Sequence, residues 1–220
     1  MFSPSDVCAV ICTLNAQDTI ERVITAARSS GVADVLVVDG KSSDQTAFLA
    51  RRSGARVIFD NGRGLAAARE MGAQDNHLPL TLFVGPDNVI DSDLLERLLE
   101  DFNASERVLA CGCLTRLEGK TYVSRAITAV LQTLVRPGLA PTLGTPTLVA
   151  SATLRDFPYD AGRRFSDDTE LFERIQDATG GTFWVADYEV LEIGTASLSH
   201  AFRRWTYYGV SDFENFEAGK

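Results

Sequence analysis

Four aspartates stand where acid–base or ligand chemistry could be done. Asp39 closes the apolar run Val35-Leu36-Val37-Val38. Its carboxylate is a good acceptor for the imide N–H of a base or for ribose hydroxyls, although an aspartate in this position can also cap a loop. Asp87 follows Gly85-Pro86 at the end of a second apolar run. It could hold a hard divalent cation that neutralises a diphosphate, or serve as a turn residue after proline. Asp167 and Asp168 open a helical stretch. One of them could be a general base if burial or a neighbouring like charge tunes it; the plainer role for both is helix N-capping.

Several other chemistries lack their signatures. No GxGxxG follows the first apolar run, and the Gly62-x-Gly64 pair stands alone. There is no Walker A loop and no GxSxG elbow. A sugar-phosphate nucleotidyltransferase would need a loop rich in glycine and basic residues after the first strand, and residues 13–17 are Thr-Leu-Asn-Ala-Gln.

The 220 residues carry 21 basic and 30 acidic side chains, a formal charge of −9. That length fits one domain, and 45% hydrophobic with 23% charged residues is a globular composition. The acidic balance argues against nucleic acid as a partner, because phosphate contacts are made largely by Lys and Arg. Cys8 with Cys12, and Cys111 with Cys113, lie in apolar runs where strand alternation puts each pair on one face, the setting of buried thiols. Neither pair has zinc-knuckle spacing, and His77 and His200 do not complete a set with them. No positively charged leader precedes an apolar stretch at Met1, so a cytoplasmic chain is expected. The longest uncharged stretch, 137–154, is broken by Gly138, Pro141, Gly144 and Pro146 and is not expected to span a bilayer.

Alternating strands and helices must position these residues. Strands are expected over 7–12, 35–38, 56–59 and 80–84, the first continuously apolar as in a strand buried on both faces. Helices are expected between them: from Ile20 to a stop at Gly31, from Ser42 and Ser43 to Gly54, over 65–73, and from a cap at Asp91 and Ser92 to Phe102. Three such units imply a parallel sheet with ligands at the carboxyl ends of its strands. The second half predicts a strand over 108–114, a helix over 124–135, a loop over 137–147, a helix over 167–178, an edge or mixed-sheet strand over 182–190, and a final helix over 198–208.

The order of these blocks resembles glycosyltransferase family 2. The opening strand is followed by Thr13-Leu14-Asn15, then by Val37-Val38-Asp39-Gly40-Lys41-Ser42-Ser43-Asp44-Gln45-Thr46. Asn61 to Arg69 is similar to the family's glycine-containing segment. Leu82-Phe83-Val84-Gly85-Pro86-Asp87 falls at its DxD motif, Phe165 to Leu171 at its acidic ED segment, and Arg203 to Gly209 at its C-terminal basic helix ending in Tyr-Gly. The resemblance implies a GT-A α/β fold with a central, mostly parallel sheet flanked by helices. It implies one domain over 1–220, with a nucleotide-sugar half over 1–100 and an acceptor half over 101–220. It also implies inverting transfer from a UDP- or GDP-sugar, aided by Mg²⁺ or Mn²⁺. Asp39 would contact the nucleoside with Thr13 and Asn15 beside it, Arg63 and Arg204 would help hold the donor, Asp87 would bind metal or diphosphate, and Asp168 would be the base.

Two positions depart from the family pattern. Gly85 stands at the first acid of DxD. The His that the family often has upstream of its Tyr-Gly is absent, and Glu192 is assigned that metal-binding role. These departures keep open a catalytically inactive nucleotide-binding or scaffold protein of the same fold. The apolar stripe Ile127, Val130, Leu131 and Leu134 is expected to be ordinary core, against an acceptor groove or a membrane-surface contact. Arg203 and Arg204 with Trp205, Tyr207 and Tyr208 have the basic–aromatic mix of an interfacial segment. A lipid-linked acceptor, peripheral contact with the inner face of the membrane and a homodimer therefore stand as open partner readings.

Overall fold

The computed structural model describes residues 1–163, 166–194, 202 and 206. In chain order the strands are β1 (Val7–Thr13), β2 (Asp34–Asp39), β3 (Arg56–Phe59), β4 (Leu80–Val84), β5 (Asn88–Val89), β6 (Val108–Leu117), β7 (Gly138–Ala140), β8 (Thr147–Ala150) and β9 (Thr182–Glu192). The helices are α1 (Ile20–Ser29), α2 (Thr46–Arg52), α3 (Leu65–Asp75), α4 (Ser92–Asn103), α5 (Tyr122–Leu134), α6 (Ser151–Asp156) and α7 (Asp167–Thr179).

The first four strands pair in parallel in the order β3-β2-β1-β4. Because side chains alternate along a strand, their residues divide between two cores. Val7, Ala9, Ile11, Val35, Val37, Leu80 and Leu82 pack with the apolar faces of α1 and α4. Cys8, Val10, Leu36, Val38 and Phe83 pack with α3 and α7. Burial on both sides explains why these strands read as unbroken apolar runs. Farther along, the sheet is mixed and continues β4-β8-β6-β9-β5, with β7 also paired to β9. Strand β8 is antiparallel to both β4 and β6, so β6 and β9 run in the direction of β1–β4. The carboxyl ends of all six of these strands share one rim, where ligands of such sheets bind.

Three expectations are corrected. Helix α2 begins at Thr46 rather than at Ser42 or Ser43, because Ser42 N–H is drawn back to Asp39 Oδ1 (2.8 Å) and Asp44 Oδ1 takes Thr46 N–H (2.9 Å). The loop expected over 137–147 contains β7, which pairs with β9. Strand β9 is a mixed-sheet strand, one of the two expected alternatives, and reaches Glu192, with parallel β6 on one side and antiparallel β5 and β7 on the other. The stripe on α5 is not ordinary core, since the helix buries only Ser124 and leaves Leu134 74% exposed. The final helix expected over 198–208, Arg204 included, lies outside the described residues apart from Phe202 and Thr206.

The cysteines follow the alternation rule. Cys8 and Cys12 face the α3 and α7 side, Cys111 and Cys113 the other, and all four are free. Burial pushes the thiols of Cys8, Cys12 and Cys113 up to about 12, and raises Cys111 as well. The thiolate is the reactive form. At pH 8 the native chain is therefore expected to react slowly with a thiol reagent and to yield all four thiols only in denaturant; four rapid reactions in the native chain would contradict the burial.

Candidate active site

The turns beyond β1, β2 and β3 are held in an uncommon backbone conformation. Asn15, Lys41 and Asn61 have φ of 52°, 71° and 59°, and Ser166, just before α7, has φ of 49°. Residues with side chains keep such angles where their surroundings over-determine them, often at functional sites. Around Asn15 the determinants are visible. Its N–H donates to Ser42 Oγ (2.8 Å), and its Oδ1 accepts from Ser43 N–H (2.9 Å) and Ser43 Oγ (3.2 Å).

Asp39 and Thr13 are register partners at the ends of β2 and β1. Asp39 is 1% exposed and its Oδ1 accepts from Ser42 N–H, but its Oδ2 meets no hydrogen-bond donor among the described residues. Thr13 Oγ1 is likewise buried and without a partner. Leaving a buried carboxylate oxygen unsatisfied is costly, so two such atoms side by side mark a place that a polar ligand would complete. Thr13, and Gly40 next to Asp39, also line a cavity of about 280 Å³ together with Leu14, Asp60, Gly62 and Gly64. The exposed Leu14 and Leu65 give it an apolar wall. Buried Asp60 fixes the glycine turn by accepting Gly62 N–H at 2.7 Å. Arg63 is exposed between the two lining glycines.

At the end of β4 the chain turns tightly. Asn88 N–H donates to the Gly85 carbonyl, and Gly85 N–H to Asn88 Oδ1, both at 3.0 Å. A Cβ on Gly85 would lie 2.6 Å from Asn88 Oδ1 and 2.8 Å from Asp87 Oδ1. The missing first acid is thus built into the turn, because its space is taken by the neighbouring side chains. Asp87 lies in the turn just before β5 and Glu192 ends the neighbouring β9: Asn88 pairs with Glu192, and Ile193 N–H donates to the Asp87 carbonyl at 2.8 Å. Among the described residues no three His, Cys, Asp or Glu form a group able to hold a metal. An ion on Asp87 and Glu192 would need phosphate oxygens to complete its shell, which is how Mg²⁺ is commonly bound.

The third element of the rim comes from α3 and α7. Helix α3 is built of small residues, and a Cβ on its Gly72 would lie 2.4 Å from Val10 Cγ1, so only glycine lets the helix lie this close to β1. That approach buries Arg69 between the sheet and α7. Its Nη1 is 2.7 Å from Asp167 Oδ2 and 3.7 Å from Asp168 Oδ2, and its guanidinium lies over the Tyr159 ring at 5.9 Å. Burial alone would lower the Arg69 pKa, but Asp167, Tyr159 and Asp168 raise it, so the cation is permanent.

The two aspartates sit in different surroundings. The Asp167 side chain is 8% exposed and bonded to Arg69, whereas the Asp168 side chain is 30% exposed. Burial and then the Asp167 charge raise the Asp168 carboxyl above its ordinary value, with Arg69 opposing them. A partly accessible carboxylate with a raised pKa has the properties of a general base. Arg69 was not singled out in the sequence. Its spacing did carry a signal, three residues after Ala66 and four before Ala73 on the buried face of α3.

The profile of the family described as Glycosyl transferase family 2 matches residues 8–180. Glycosyltransferase AglJ of Haloferax volcanii is 32% identical over 137 residues, which are 57% of this chain and 45% of that protein. Succinoglycan biosynthesis protein ExoU of Rhizobium meliloti is 35% identical over 104 residues, 44% of this chain and 30% of that protein. The chain thus spans less than half the length of either relative. Glucosyl-3-phosphoglycerate synthase from Mycobacterium tuberculosis, solved in complex with Mg²⁺ and UDP, superposes with a TM-score of 0.67 at 19% identity over 89% of this chain and 73% of that one. The same enzyme with Mn²⁺, UDP-glucose and phosphoglyceric acid gives 0.67 at 18%, over 89% and 74%. The shared architecture is the GT-A fold.

Proposed function

We propose that this chain, which belongs to glycosyltransferase family 2, moves a sugar from a nucleotide-sugar donor to an acceptor hydroxyl with inversion. The observation that carries this reading is the pair of unsatisfied buried oxygens, Asp39 Oδ2 and Thr13 Oγ1, beside the cavity at the carboxyl ends of β1 and β2. A nucleoside of a UDP- or GDP-sugar would satisfy Asp39 through a base N–H or a ribose hydroxyl. Asn15 shapes that turn, Arg63 stands at its exposed rim, and Arg204 keeps the role of donor ligand that the sequence assigns it. We read residues 1–220 as one domain, with the nucleotide-sugar half over 1–100 and the acceptor half over 101–220.

Asp87 and Glu192 would hold Mg²⁺ or Mn²⁺ together with the diphosphate, and a bound ion would neutralise charge on the leaving group. Asp168 takes the proton of the acceptor hydroxyl as its oxygen attacks the anomeric carbon opposite the departing nucleoside diphosphate, which inverts that centre. Asp167 and Arg69 hold the base in place and set its pKa. Because Asp168 must be ionised to act and its carboxyl is raised, the rate climbs with pH through a value above the ordinary carboxylate range.

Calorimetric titration with UDP and GDP in the presence of Mn²⁺ tests the nucleotide site. Loss of a hydrogen bond to a charged acceptor is expected to weaken nucleotide binding to Asp39→Ala by about tenfold or more. No heat of binding from either nucleotide with the unaltered chain would count against the reading. The packing at Gly85 favours one competing role, a nucleotide-binding protein without turnover.

A further inference from the structure

Helix α5 bonds to the protein through polar side chains, beside half-buried Ile127 and Leu131, and leaves other apolar side chains exposed. Ser124, Thr128 and Gln132, spaced four residues apart on one side, are the residues it bonds to the protein. Ser124 Oγ donates to the Gly119 carbonyl (3.1 Å), Thr128 Oγ1 accepts Leu117 N–H (3.1 Å), and Gln132 Nε2 donates to Glu189 Oε1 (2.6 Å). The other side carries Tyr122, Val130 and Leu134, which are 88%, 37% and 74% exposed, and the chain continues with Val135 at 41% and Leu139 in β7 at 70%. Helix α4 shows the usual arrangement, burying five apolar residues while Asp93, Glu96, Arg97 and Glu100 lie off that stripe.

Charge sets this face apart as well. From Gly119 to Arg155 the sequence has no Asp or Glu, while Lys120, Arg125, Arg136 and Arg155 fall within it, in a chain of 30 acidic and 21 basic residues. The run also begins at the catalytic rim, where Glu118 N–H donates to the Glu192 carbonyl at 2.7 Å.

We propose that the face formed by α5 and β7 docks on a bilayer surface that carries anionic lipids. Exposed apolar side chains in a stretch of sequence whose only charges are basic match a helix lying at the headgroup boundary, with Arg125 and Arg136 reaching lipid phosphates. Tyr122 is the amphipathic ring such a boundary favours. The acidic remainder of the chain is repelled by the same surface, which favours this face as the one that docks. The contact is peripheral: among the described residues no helix is long and apolar enough to cross a membrane. The proposal does not depend on the transferase reading.

Flotation of the full chain with vesicles tests it. Phosphatidylcholine vesicles containing phosphatidylglycerol are expected to carry the chain, and pure phosphatidylcholine about tenfold less of it, with the difference shrinking as salt is raised. Leu134→Glu combined with Leu139→Glu, and separately Arg125→Glu combined with Arg136→Glu, should each lower binding about tenfold or more. All four side chains are exposed, so the thermal midpoint and nucleotide binding should be unchanged. The proposal is overturned if the unaltered chain floats with neither vesicle, or if the variants float as it does. It is also overturned if the chain forms a dimer that Leu134→Glu with Leu139→Glu abolishes, which would assign the face to a second copy.

Discussion

Asp168→Asn should slow sugar transfer by about 10²- to 10⁴-fold, the usual contribution of a positioned general base, while nucleotide binding and thermal midpoint stay close to those of the unaltered chain. The substitution is nearly isosteric and removes little structure. Arg69 lies 3.7 Å from Asp168 but 2.7 Å from Asp167, so the buried ion pair survives. The bond that Asp168 Oδ1 accepts from Thr169 N–H can be kept by the amide oxygen. Release of nucleoside diphosphate from a UDP- or GDP-sugar, followed against pH, checks both the size and the origin of the effect. The acid limb of the unaltered chain should lie above the ordinary carboxylate range, because burial and Asp167 raise the Asp168 carboxyl, and Asp168→Asn should lack that limb. Unchanged turnover in the variant would remove Asp168 from the chemistry.

Arg69→Met should produce the largest loss of stability. Removing one partner of a buried ion pair leaves the other charge uncompensated and costs about 3–5 kcal/mol. Here the Asp167 side chain would be stranded at 8% exposure. A urea midpoint shift of that size is expected, and adding Asp167→Asn should recover part of it, since the two residues act as a unit. The single variant should also move the acid limb of turnover further upward, because Arg69 is what opposes the rise in the Asp168 pKa. A variant as stable as the original, or a limb that moves down, would show that Arg69 does not govern this corner of the site.

The half of the fold that carries the cavity lined by Thr13 was legible in the sequence because its strands are buried on both sides and its helices are not. Val7–Thr13, Asp34–Asp39 and Leu80–Val84 are nearly continuous apolar runs, and Asp39 could be placed at a strand end before any coordinate was known. What stayed hidden depends on contacts distant in sequence. Strand β7 has three residues and β8 four, too short for a periodic signal, and each is specified by the partner it joins. The different surroundings of Asp167 and Asp168 are set by an arginine 98 positions from Asp167, brought there by a glycine in α3. Gly85 could be read as a missing acid, but not as a position whose space Asn88 and Asp87 fill. Helix α5 shows the limit of periodicity most plainly. Its stripe is divided, with Ile127 and Leu131 half-buried and Leu134 exposed, and the bonds of Ser124, Thr128 and Gln132 fix which side meets the protein.

Sugar transfer at this rim is tested most directly by following the anomeric signal of UDP- and GDP-sugars by NMR while the chain turns them over in the presence of Mn²⁺. Release of nucleoside diphosphate with the sugar first appearing in the opposite anomeric configuration, and loss of both in Asp168→Asn, is the expected result. Retention of configuration, or nucleotide binding with no turnover of any donor, would contradict it.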